Sequence, residues 1–256
     1  MSAGQRRILQ TTGIALLAHT LALAVWHLAV AQGGIPAFIL PSPAATFSTL
    51  GNARYDWAGN AAVTAIEIGV GFLLATLLGV ALALAFTWSR LGLALLMPLL
   101  ITFNMVPKVA LGPLIIVWIG YGIATNMVIA FAIAFFPILL TTLRGLRETE
   151  PELLELVQGL RATRWQVFRL IQLPGSLPYL FSGMKVGAVL AVAGAIVGEF
   201  IGSERGLGYL MLQVQVRLDT AAMVMAVLLI SLTGIVLYGL VAALESLVVV
   251  RDARLR

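Results

Sequence analysis

The stretch AAVTAIEIGVGFLLATLLGVALALAFT, residues 61–87, is apolar over its whole length and carries one charged residue, Glu67. About 20 apolar residues in a helix cross the hydrocarbon core of a bilayer, so this stretch predicts a transmembrane helix. The whole chain is 61% hydrophobic and 11% charged, whereas a soluble domain carries about 25% charged residues. The composition therefore predicts a membrane protein.

Five further apolar stretches accompany residues 61–87, and together they predict an all-α polytopic membrane protein with about six transmembrane helices. They cover approximately residues 8–31, 91–119, 123–143, 176–201 and 222–249. The first ends in Ala29-Val30-Ala31, which is similar to a signal-peptidase site, but it is longer than the usual apolar signal core of about 7–15 residues. We expect it to be retained as a helix; cleavage would leave the other five spans. No linker divides the chain, so residues 1–256 are expected to form one transmembrane domain.

The basic residues predict the orientation in the membrane. With the N-terminus inside, 12 of the 16 Lys and Arg residues fall on the cytoplasmic side, in agreement with the positive-inside rule. The predicted cytoplasmic residues are Arg6, Arg7, Arg90, Arg144, Arg147, Arg161, Arg164, Arg169, Lys185, Arg251, Arg254 and Arg256; the outer ones are Arg54, Lys108, Arg205 and Arg217. We therefore expect a bacterial inner-membrane protein with both termini in the cytoplasm. The net charge of +5 reflects this orientation in lipid, not nucleic-acid binding.

Small residues recur at every fourth position in two of the predicted spans. The rows are Gly71, Ala75, Gly79 and Ala83; Gly183, Gly187, Ala191 and Ala195; and Gly194, Gly198 and Gly202. Lipid provides no hydrophobic drive between helices, so close backbone approach must supply the packing. The rows predict helix–helix contacts, which either form a packed seam or line a path.

The predicted span at residues 91–119 is interrupted by Pro98, Pro107 and Pro113, with Asn104 and Lys108 between them. Irregular backbone at membrane depth is tolerated only where protein or a water-filled cavity covers it, and broken helices often flank transport sites. Asn104 and Lys108 are therefore candidates for a translocation path. The alternative is that the break lies at the outer surface.

Three ionisable residues fall within predicted spans, at a cost of roughly 3 kcal/mol each on insertion scales. Glu67, Lys185 and Glu199 lie near the predicted ends of their spans, so snorkelling of the side chain towards water is the favoured explanation. The alternative makes Glu67 and Glu199 path residues, and Glu199 is the better candidate because it stands among close-packed glycines.

The polar stretch 144–173 predicts two short helices, each with a capping box. Thr149 with Glu152 opens the first, and Thr163 with Gln166 opens the second. The pair Leu173-Pro174 is expected to end the second helix before the next span.

Trp165 and Phe168 fall on one side of the second short helix, beside arginines. Exposed aromatic residues next to Arg are typical of a docking surface for a partner. The alternative is that these aromatic side chains pack back onto the spans of the same chain.

This polar stretch resembles the cytoplasmic signature loop of bacterial ABC importer permeases, which reads Glu-Ala-Ala, three residues, Gly, nine residues, Ile, any residue, Leu-Pro. Glu155 starts the motif here, and Ile171, Leu173 and Pro174 fall at the expected offsets. The chain departs from the motif at the Ala pair, which is Leu156-Val157, and at the Gly position, which is Arg161. In the family that Gly serves a turn with positive φ.

The resemblance covers approximately residues 40–250 and is closest to the nitrate, sulfonate and taurine subgroup, which includes permeases for pyrimidine-type thiamine precursors. The matching segments are Leu40-Pro41-Ser42-Pro43, Val106-Pro107-Lys108-Val109-Ala110-Leu111-Gly112-Pro113-Leu114, Trp118-Ile119-Gly120-Tyr121-Gly122, Phe135-Phe136-Pro137 and Gly198-Glu199-Phe200-Ile201-Gly202. The family core falls at about residues 55–250 and the coupling loop at 144–174.

The resemblance implies a six-helix permease that acts in pairs, two cytoplasmic ATPases that drive it, and an extracytoplasmic binding protein that delivers the solute. In the family the signature loop inserts into a groove on the ATPase. Carried onto this chain, it implies that the ATPase-coupling residues are Glu152, Glu155, Gly159, Arg161, Ala162, Thr163, Trp165, Phe168, Leu173 and Pro174. The expected solute is a small anionic or heterocyclic organic molecule, and a homodimer is expected because two-fold pairs are the commonest symmetric assembly.

The chain itself has no motif for hydrolysing ATP, so any motor is expected on a separate subunit. Its lysines are Lys108 and Lys185, and neither lies in a G-x-x-x-x-G-K-[ST] loop. ATP and Mg²⁺ are expected on the partner ATPase, and no cofactor in this chain. There is no cysteine and no G-x-S-x-G motif, His19 and His27 do not form a metal site, and Glu245 has no obvious partner in the sequence.

A channel or a secondary transporter is the alternative class. Gly120-Tyr121-Gly122 is similar to the potassium-filter tripeptide, but the filter needs a preceding Thr-Val, and Trp118-Ile119 stand there instead. An ATPase gene and a binding-protein gene beside this one would favour the importer.

Overall fold

The computed structural model describes residues 3–148, 153, 156–157 and 159–249, and in this part it contains helices and no strand. The helices are α1 (Ala3–Gln32), α2 (Pro43–Ser48), α3 (Trp57–Trp88), α4 (Arg90–Met105), α5 (Gly112–Ile119), α6 (Ile123–Arg147), α7 (Arg164–Val167), α8 (Leu173–Gly202), α9 (Leu207–Val216) and α10 (Thr220–Val248). Three 3₁₀ turns cover Thr49–Gly51, Ala53–Tyr55 and Lys108–Leu111, and a π turn covers Phe168–Gln172.

In the described part of the chain, four helical segments are long and apolar enough to cross a membrane: Ala53–Trp88, Ile123–Arg147, Arg164–Gly202 and Thr220–Val248. A fifth crossing results if the pair Leu91–Met105 and Lys108–Ile119, which is bent by 85°, counts as one span. The first predicted span forms α1, whose stretch Leu16–Gln32 is apolar but shorter. The all-α polytopic class is confirmed.

The bend in the predicted span 91–119 comes from one of its three prolines. Val106, which precedes Pro107, is extended with ψ 128°, as expected because a proline disfavours the helical conformation of the residue before it. Pro113 lies in the first turn of α5, where its missing N–H costs nothing, and Pro98 is accommodated inside α4. The helix therefore breaks at Pro107.

The chain divides into two compact units, and the larger one comprises residues 58–209 together with 229–249. Its core includes Ile68, Phe72, Ala130, Ala134, Phe135, Ile138, Leu139, Ala188, Ala191 and Val241. The small-residue rows of α3 and α8 pack onto α6. A Cβ added at Gly71 would lie 2.6 Å from the Ala130 Cβ, and one at Gly194 would lie 2.7 Å from the Ala130 Cα. Within this unit the rows form a packed seam.

The smaller unit comprises residues 3–57 and 210–228. The indole N–H of Trp26 donates to the Pro41 carbonyl at 2.9 Å, and the Thr220 hydroxyl donates to the Phe38 carbonyl at 2.6 Å. Arg54 Nη2 and the Tyr55 hydroxyl both donate to Asp219 Oδ2, at 2.7 and 2.5 Å. The stretch 32–60, which is rich in Gly and Pro, thus carries α2 and two 3₁₀ turns.

The expected helix end at Leu173-Pro174 is wrong, because the helix continues through this pair from Arg164 to Gly202. A proline inside a regular α-helix removes a hydrogen bond and crowds the carbonyl one turn back. Here the π turn Phe168–Gln172 comes directly before it, and the Leu173 N–H donates to the Phe168 carbonyl, five residues back. The wider turn accommodates the proline without ending the helix.

Candidate functional site

A tight turn at Arg161 separates the two halves of the signature loop. Arg161 has φ 57°, and the Ala162 N–H donates to the Val157 carbonyl at 3.0 Å. This six-residue closure around a left-handed residue is the Schellman motif that ends many helices, usually with Gly in the left-handed position. Arg161 therefore adopts the conformation that the family's Gly would supply, at a cost of about 1–2 kcal/mol for a side chain with a Cβ.

The capping box predicted at Thr163 and Gln166 is confirmed. The Gln166 N–H donates to Thr163 Oγ1 at 3.3 Å, and the Thr163 N–H donates to Gln166 Oε1 at 2.8 Å. The reciprocal bonds fix the start of α7 directly after the turn. The other predicted capping box, Thr149 with Glu152, and the predicted coupling residue Glu155 lie outside the described residues.

Three aromatic side chains form a cluster, which we call the aromatic cluster: Trp88, Trp165 and Phe168. The ring centroids of Trp88 and Phe168 are 5.3 Å apart, those of Trp165 and Phe168 5.6 Å, and those of Trp88 and Trp165 6.1 Å. Phe168 is buried, whereas Trp165 is 57% exposed. Phe168 thus packs back onto the helices of the chain and Trp165 remains available to a partner.

Trp88, the last residue of α3, was not identified from the sequence. Its position at the end of a predicted span is the signal that could have found it, because Trp is enriched at the ends of transmembrane helices. Since Trp88 contacts both aromatic residues of the signature loop, it connects that loop to α3.

The other predicted coupling residues lie on the accessible side of the loop. Gly159, Leu173 and Pro174 are exposed, and Ala162 is half-buried. At the nearby end of α6, Arg144 Nε donates to Glu148 Oε2 at 2.8 Å. This hydrogen bond lowers the pKa of the Glu148 carboxyl below its usual value, so Glu148 is ionised at neutral pH.

Glu67 and Glu199 form a buried polar cluster with Thr64 and Asn126, which we call the carboxyl cluster. Glu67 is 0% and Glu199 1% exposed, so the prediction that these side chains snorkel to water is wrong. Asn126 Nδ2 donates to Glu67 Oε1 at 2.8 Å, and the Thr64 hydroxyl donates to Glu199 Oε1 at 2.6 Å. Hydrogen-bonding partners inside the protein replace water here, which is what burial of a polar group requires.

The carboxyl cluster holds the backbone of residues 206–209, at the start of α9. The Gly206 N–H donates to Asn60 Oδ1 at 2.8 Å, the Leu207 N–H to Thr64 Oγ1 at 2.8 Å, and the N–H groups of Gly208 and Tyr209 to Glu199 Oε2, the latter at 3.2 Å. The first N–H groups of a helix have no partner within the helix. Side chains of α3 and α8 therefore cap α9.

Two glycines allow this close approach. A Cβ at Gly208 would lie 2.9 Å from Glu199 Oε2, and Gly206 has φ 115° beside the same carboxyl group. Thr64 and Asn126 were missed from the sequence, although Thr64 lies three residues before Glu67 and so on the same helix face.

Asn104 and Lys108 form a separate pair at the break between α4 and α5. Lys108 Nζ donates to both the Asn104 carbonyl and Asn104 Oδ1, each at 2.8 Å, and lies 5.0 Å from the centroid of the Phe136 ring. The structure thus brings together the two predicted glutamates in one place and the other two path candidates in another.

Glu245, which has no obvious partner in the sequence, forms an ion pair with Lys185. The two side chains are 27% and 25% exposed, so each charge is neutralised inside the spans. Among the described residues no group of three or more His, Cys, Asp or Glu side chains could hold a metal ion.

Comparison with known proteins identifies the class. Residues 68–250 match the model of the family described as binding-protein-dependent transport system inner membrane component, and the chain belongs to this family. It is 36% identical over 232 residues to the riboflavin transport system permease protein RibX of Chloroflexus aurantiacus, covering 90% of this chain and 86% of the relative.

Two further relatives have similar coverage. A protein of Haemophilus influenzae named "Probable ABC transporter permease protein" is 34% identical over 84% of this chain and 88% of its own length. The formylaminopyrimidine transport permease protein ThiX of Halalkalibacterium halodurans is 29% identical over 88% and 90%. The chain is therefore a multi-pass permease subunit of an ATP-driven importer, a transport component and not an enzyme.

Proposed function

We propose that residues 144–174 dock onto a separate cytoplasmic ATPase and transmit its movement to the spans of this permease. The observation that carries the proposal is Trp165, an exposed side chain that belongs to the aromatic cluster and lies next to a strained turn and a capping box. Trp and Arg dominate the energetics of protein–protein contacts, and here Trp165 stands one residue after Arg164. A side chain whose position is fixed by such contacts transmits the movement of a bound partner better than a mobile side chain does.

The path from the docking surface into the spans runs through two contacts. Trp165 packs on Phe168, at the start of the π turn that continues into α8, and on Trp88, at the end of α3. A displacement of Trp165 by the ATPase would therefore reach α3 and α8 together. Glu152 and Glu155 complete the proposed docking surface, since they precede the turn in the signature motif.

Docking onto a cytoplasmic ATPase requires that the loop lies in the cytoplasm, and in the predicted orientation both termini lie there too. The distribution of 12 basic residues on that side against 4 on the other supports it. In this arrangement an extracytoplasmic binding protein delivers the solute at the opposite face of the inner membrane.

The solute is proposed to be a small organic molecule with a nitrogen heterocycle. Riboflavin and formylaminopyrimidine, which name the systems of two relatives, share a pyrimidine-type ring. Asn104 and Lys108 are proposed to line the path, since amide and ammonium groups at a helix break can donate hydrogen bonds to ring oxygens and nitrogens. Glu67 and Glu199, buried inside the chain, are proposed to shape the path by holding residues 206–209.

Two copies of the chain, each a single transmembrane domain over residues 1–256, are proposed to enclose the path. A two-fold pair is the simplest closed arrangement of identical subunits. Native mass spectrometry of the complex purified in detergent tests this, and one copy beside a different permease would contradict it.

The docking role is tested by Trp165→Ala and Glu155→Lys in the full-length permease, co-expressed with its ATPase. We expect both variants to insert and to form dimers but to lose ATPase on co-purification, because removal of a docking Trp typically costs more than about 2 kcal/mol, which is roughly 30-fold in affinity.

Trp118→Ala is the matched control, because Trp118 is a similarly exposed tryptophan outside the loop. It should co-purify with wild-type amounts of ATPase. Unchanged ATPase binding, uptake and binding-protein-stimulated hydrolysis in both loop variants would contradict the docking role.

A further inference from the structure

The carboxyl groups of Glu67 and Glu199 are neighbours in the carboxyl cluster, although both are buried acids in the interior of the spans. In the described part of the chain the ion pairs join Arg54 to Asp219, Arg144 to Glu148 and Lys185 to Glu245, so none neutralises this pair. Two ionised carboxylates cannot share a buried hydrogen bond, because neither has a hydrogen to donate.

Glu199 has the surroundings of an ionised carboxylate. Its two oxygens accept from the Thr64 hydroxyl and from the N–H groups of Gly208 and Tyr209. The last two belong to the first turn of the ten-residue helix α9, where the helix dipole favours a negative charge. Charge-assisted hydrogen bonds of this kind are stronger than neutral ones.

Glu67 has different surroundings. Its Oε1 accepts from Asn126 Nδ2 at 2.8 Å, whereas its Oε2 is buried and receives no hydrogen bond from a donor in the described part of the chain. An unsatisfied buried carboxylate oxygen is costly. The same oxygen becomes a donor once it is protonated, and the neighbouring acceptor is the Glu199 carboxylate.

We propose that Glu67 and Glu199 bind one proton between them, carried on Glu67 Oε2 and donated to the Glu199 carboxylate. The pair then holds one negative charge instead of two, which lowers the free-energy cost of burying it in the spans. That single charge caps α9. Glu67 is a neutral hydrogen-bond donor, and Glu199 is the anion that positions residues 206–209.

This assignment predicts opposite tolerance of the same substitution at the two positions. In Glu67→Gln the amide Nε2 replaces the protonated Oε2 as donor, and the amide oxygen still accepts from Asn126, so the cluster is preserved. In Glu199→Gln an amide NH₂ either faces the N–H groups of Gly208 and Tyr209 or removes the acceptor from Thr64, and the cap of α9 is weakened.

The proton is tested directly by infrared spectroscopy of the full-length permease in lipid nanodiscs, in H₂O and D₂O. We expect the wild type minus Glu67→Gln difference spectrum to contain the C=O stretch of a protonated carboxyl group, shifted in D₂O. Glu245→Gln is the matched control, because the ion-paired Glu245 should contribute only carboxylate bands. Absence of the protonated band from the wild-type spectrum at neutral pH overturns the proposal.

Thermal unfolding in detergent provides a second readout that does not depend on transport. Glu67→Gln should keep the Tm of the wild type, and Glu199→Gln should lower it by about 5 °C, as expected for the loss of charge-assisted hydrogen bonds. An equal loss in both variants would mean that both carboxylates are ionised around a bound cation. A fall in the wild-type Tm on removal of alkali cations would show the same, and either result overturns the proposal.

Discussion

Arg161 stands where the signature motif has Gly, and its positive φ of 57° accounts for that preference in structural terms. The turn requires a left-handed residue because the Ala162 N–H must reach back to Val157. Any side chain with a Cβ is strained in this conformation. The chain keeps the turn, and therefore the orientation of Trp165, at the expense of some stability.

Arg161→Gly should therefore stabilise the isolated permease. Relief of about 1 kcal/mol corresponds to a rise in Tm of roughly 2–4 °C for a chain of this size, measured by differential scanning fluorimetry in detergent. Arg164→Gly removes the same charge three residues later, inside α7, and should lower the Tm, because Gly is unfavourable within a helix. A lower Tm for Arg161→Gly would show that the turn is not strained.

Interactions between residues close together in the sequence could be predicted, whereas interactions between residues far apart in the sequence could not. The capping box of Thr163 and Gln166 was predictable because its partners are three residues apart and follow a local rule. The hydrogen bond between Thr64 and Glu199 joins residues 135 positions apart. Only the packing of α3 and α8 brings them together, so the sequence marked Glu67 and Glu199 as unusual without showing that they meet.

At the scale of the elements, α6 is the helix against which α3 and α8 pack, and small residues set their distance from it. The rows of Gly and Ala were legible in the sequence as contact surfaces. The sequence left open whether they line a path, because a small side chain serves close packing and an open channel equally well.

Gly71 and Gly69 provide a matched test of this packing on a single helix. A Cβ at Gly71 would lie 2.6 Å from the Ala130 Cβ and 2.9 Å from the Met127 carbonyl oxygen, whereas a Cβ at Gly69 meets no atom within 4 Å. Gly71→Ala should destabilise the permease by about 1–3 kcal/mol, seen as a lower Tm. Gly69→Ala should leave the Tm unchanged or raise it, and equal effects of the two substitutions would contradict the seam.

The π turn before Pro174 is another element that local sequence rules did not predict. The residue before a proline normally leaves the helical region, yet Leu173 is helical with φ −64° and ψ −51°. The helix instead widens into the π turn Phe168–Gln172 directly before Leu173. The signature loop is therefore continuous with α8, which gives the proposed docking surface a direct connection to a membrane-spanning helix.

At the scale of the whole molecule, the charge distribution predicts the topology. Reporter fusions after Gly34, Arg90, Arg147, Arg205 and Arg256 should report outside, inside, inside, outside and inside in that order, because basic residues are retained in the cytoplasm. The fusion after Arg147 is the decisive one. An outer location at that point would place the signature loop away from any cytoplasmic ATPase.

An importer permease and a channel or secondary transporter would both span the membrane, but only the importer needs an ATPase to drive it. The family match over residues 68–250 identifies the chain as a transport component, and its proposed motor is a separate ATPase subunit, since the sequence has no Walker-type phosphate loop. Transport and hydrolysis should then be inseparable in the assembled complex, although they occur on different chains.

The most direct test is solute uptake into proteoliposomes that contain the permease with or without its ATPase, in the presence of the binding protein. We predict uptake only when the ATPase, Mg²⁺ and ATP are all present, and loss of that uptake in Trp165→Ala but not in Trp118→Ala. Uptake that proceeds without the ATPase would contradict the importer function and would identify the chain as a channel or a secondary transporter.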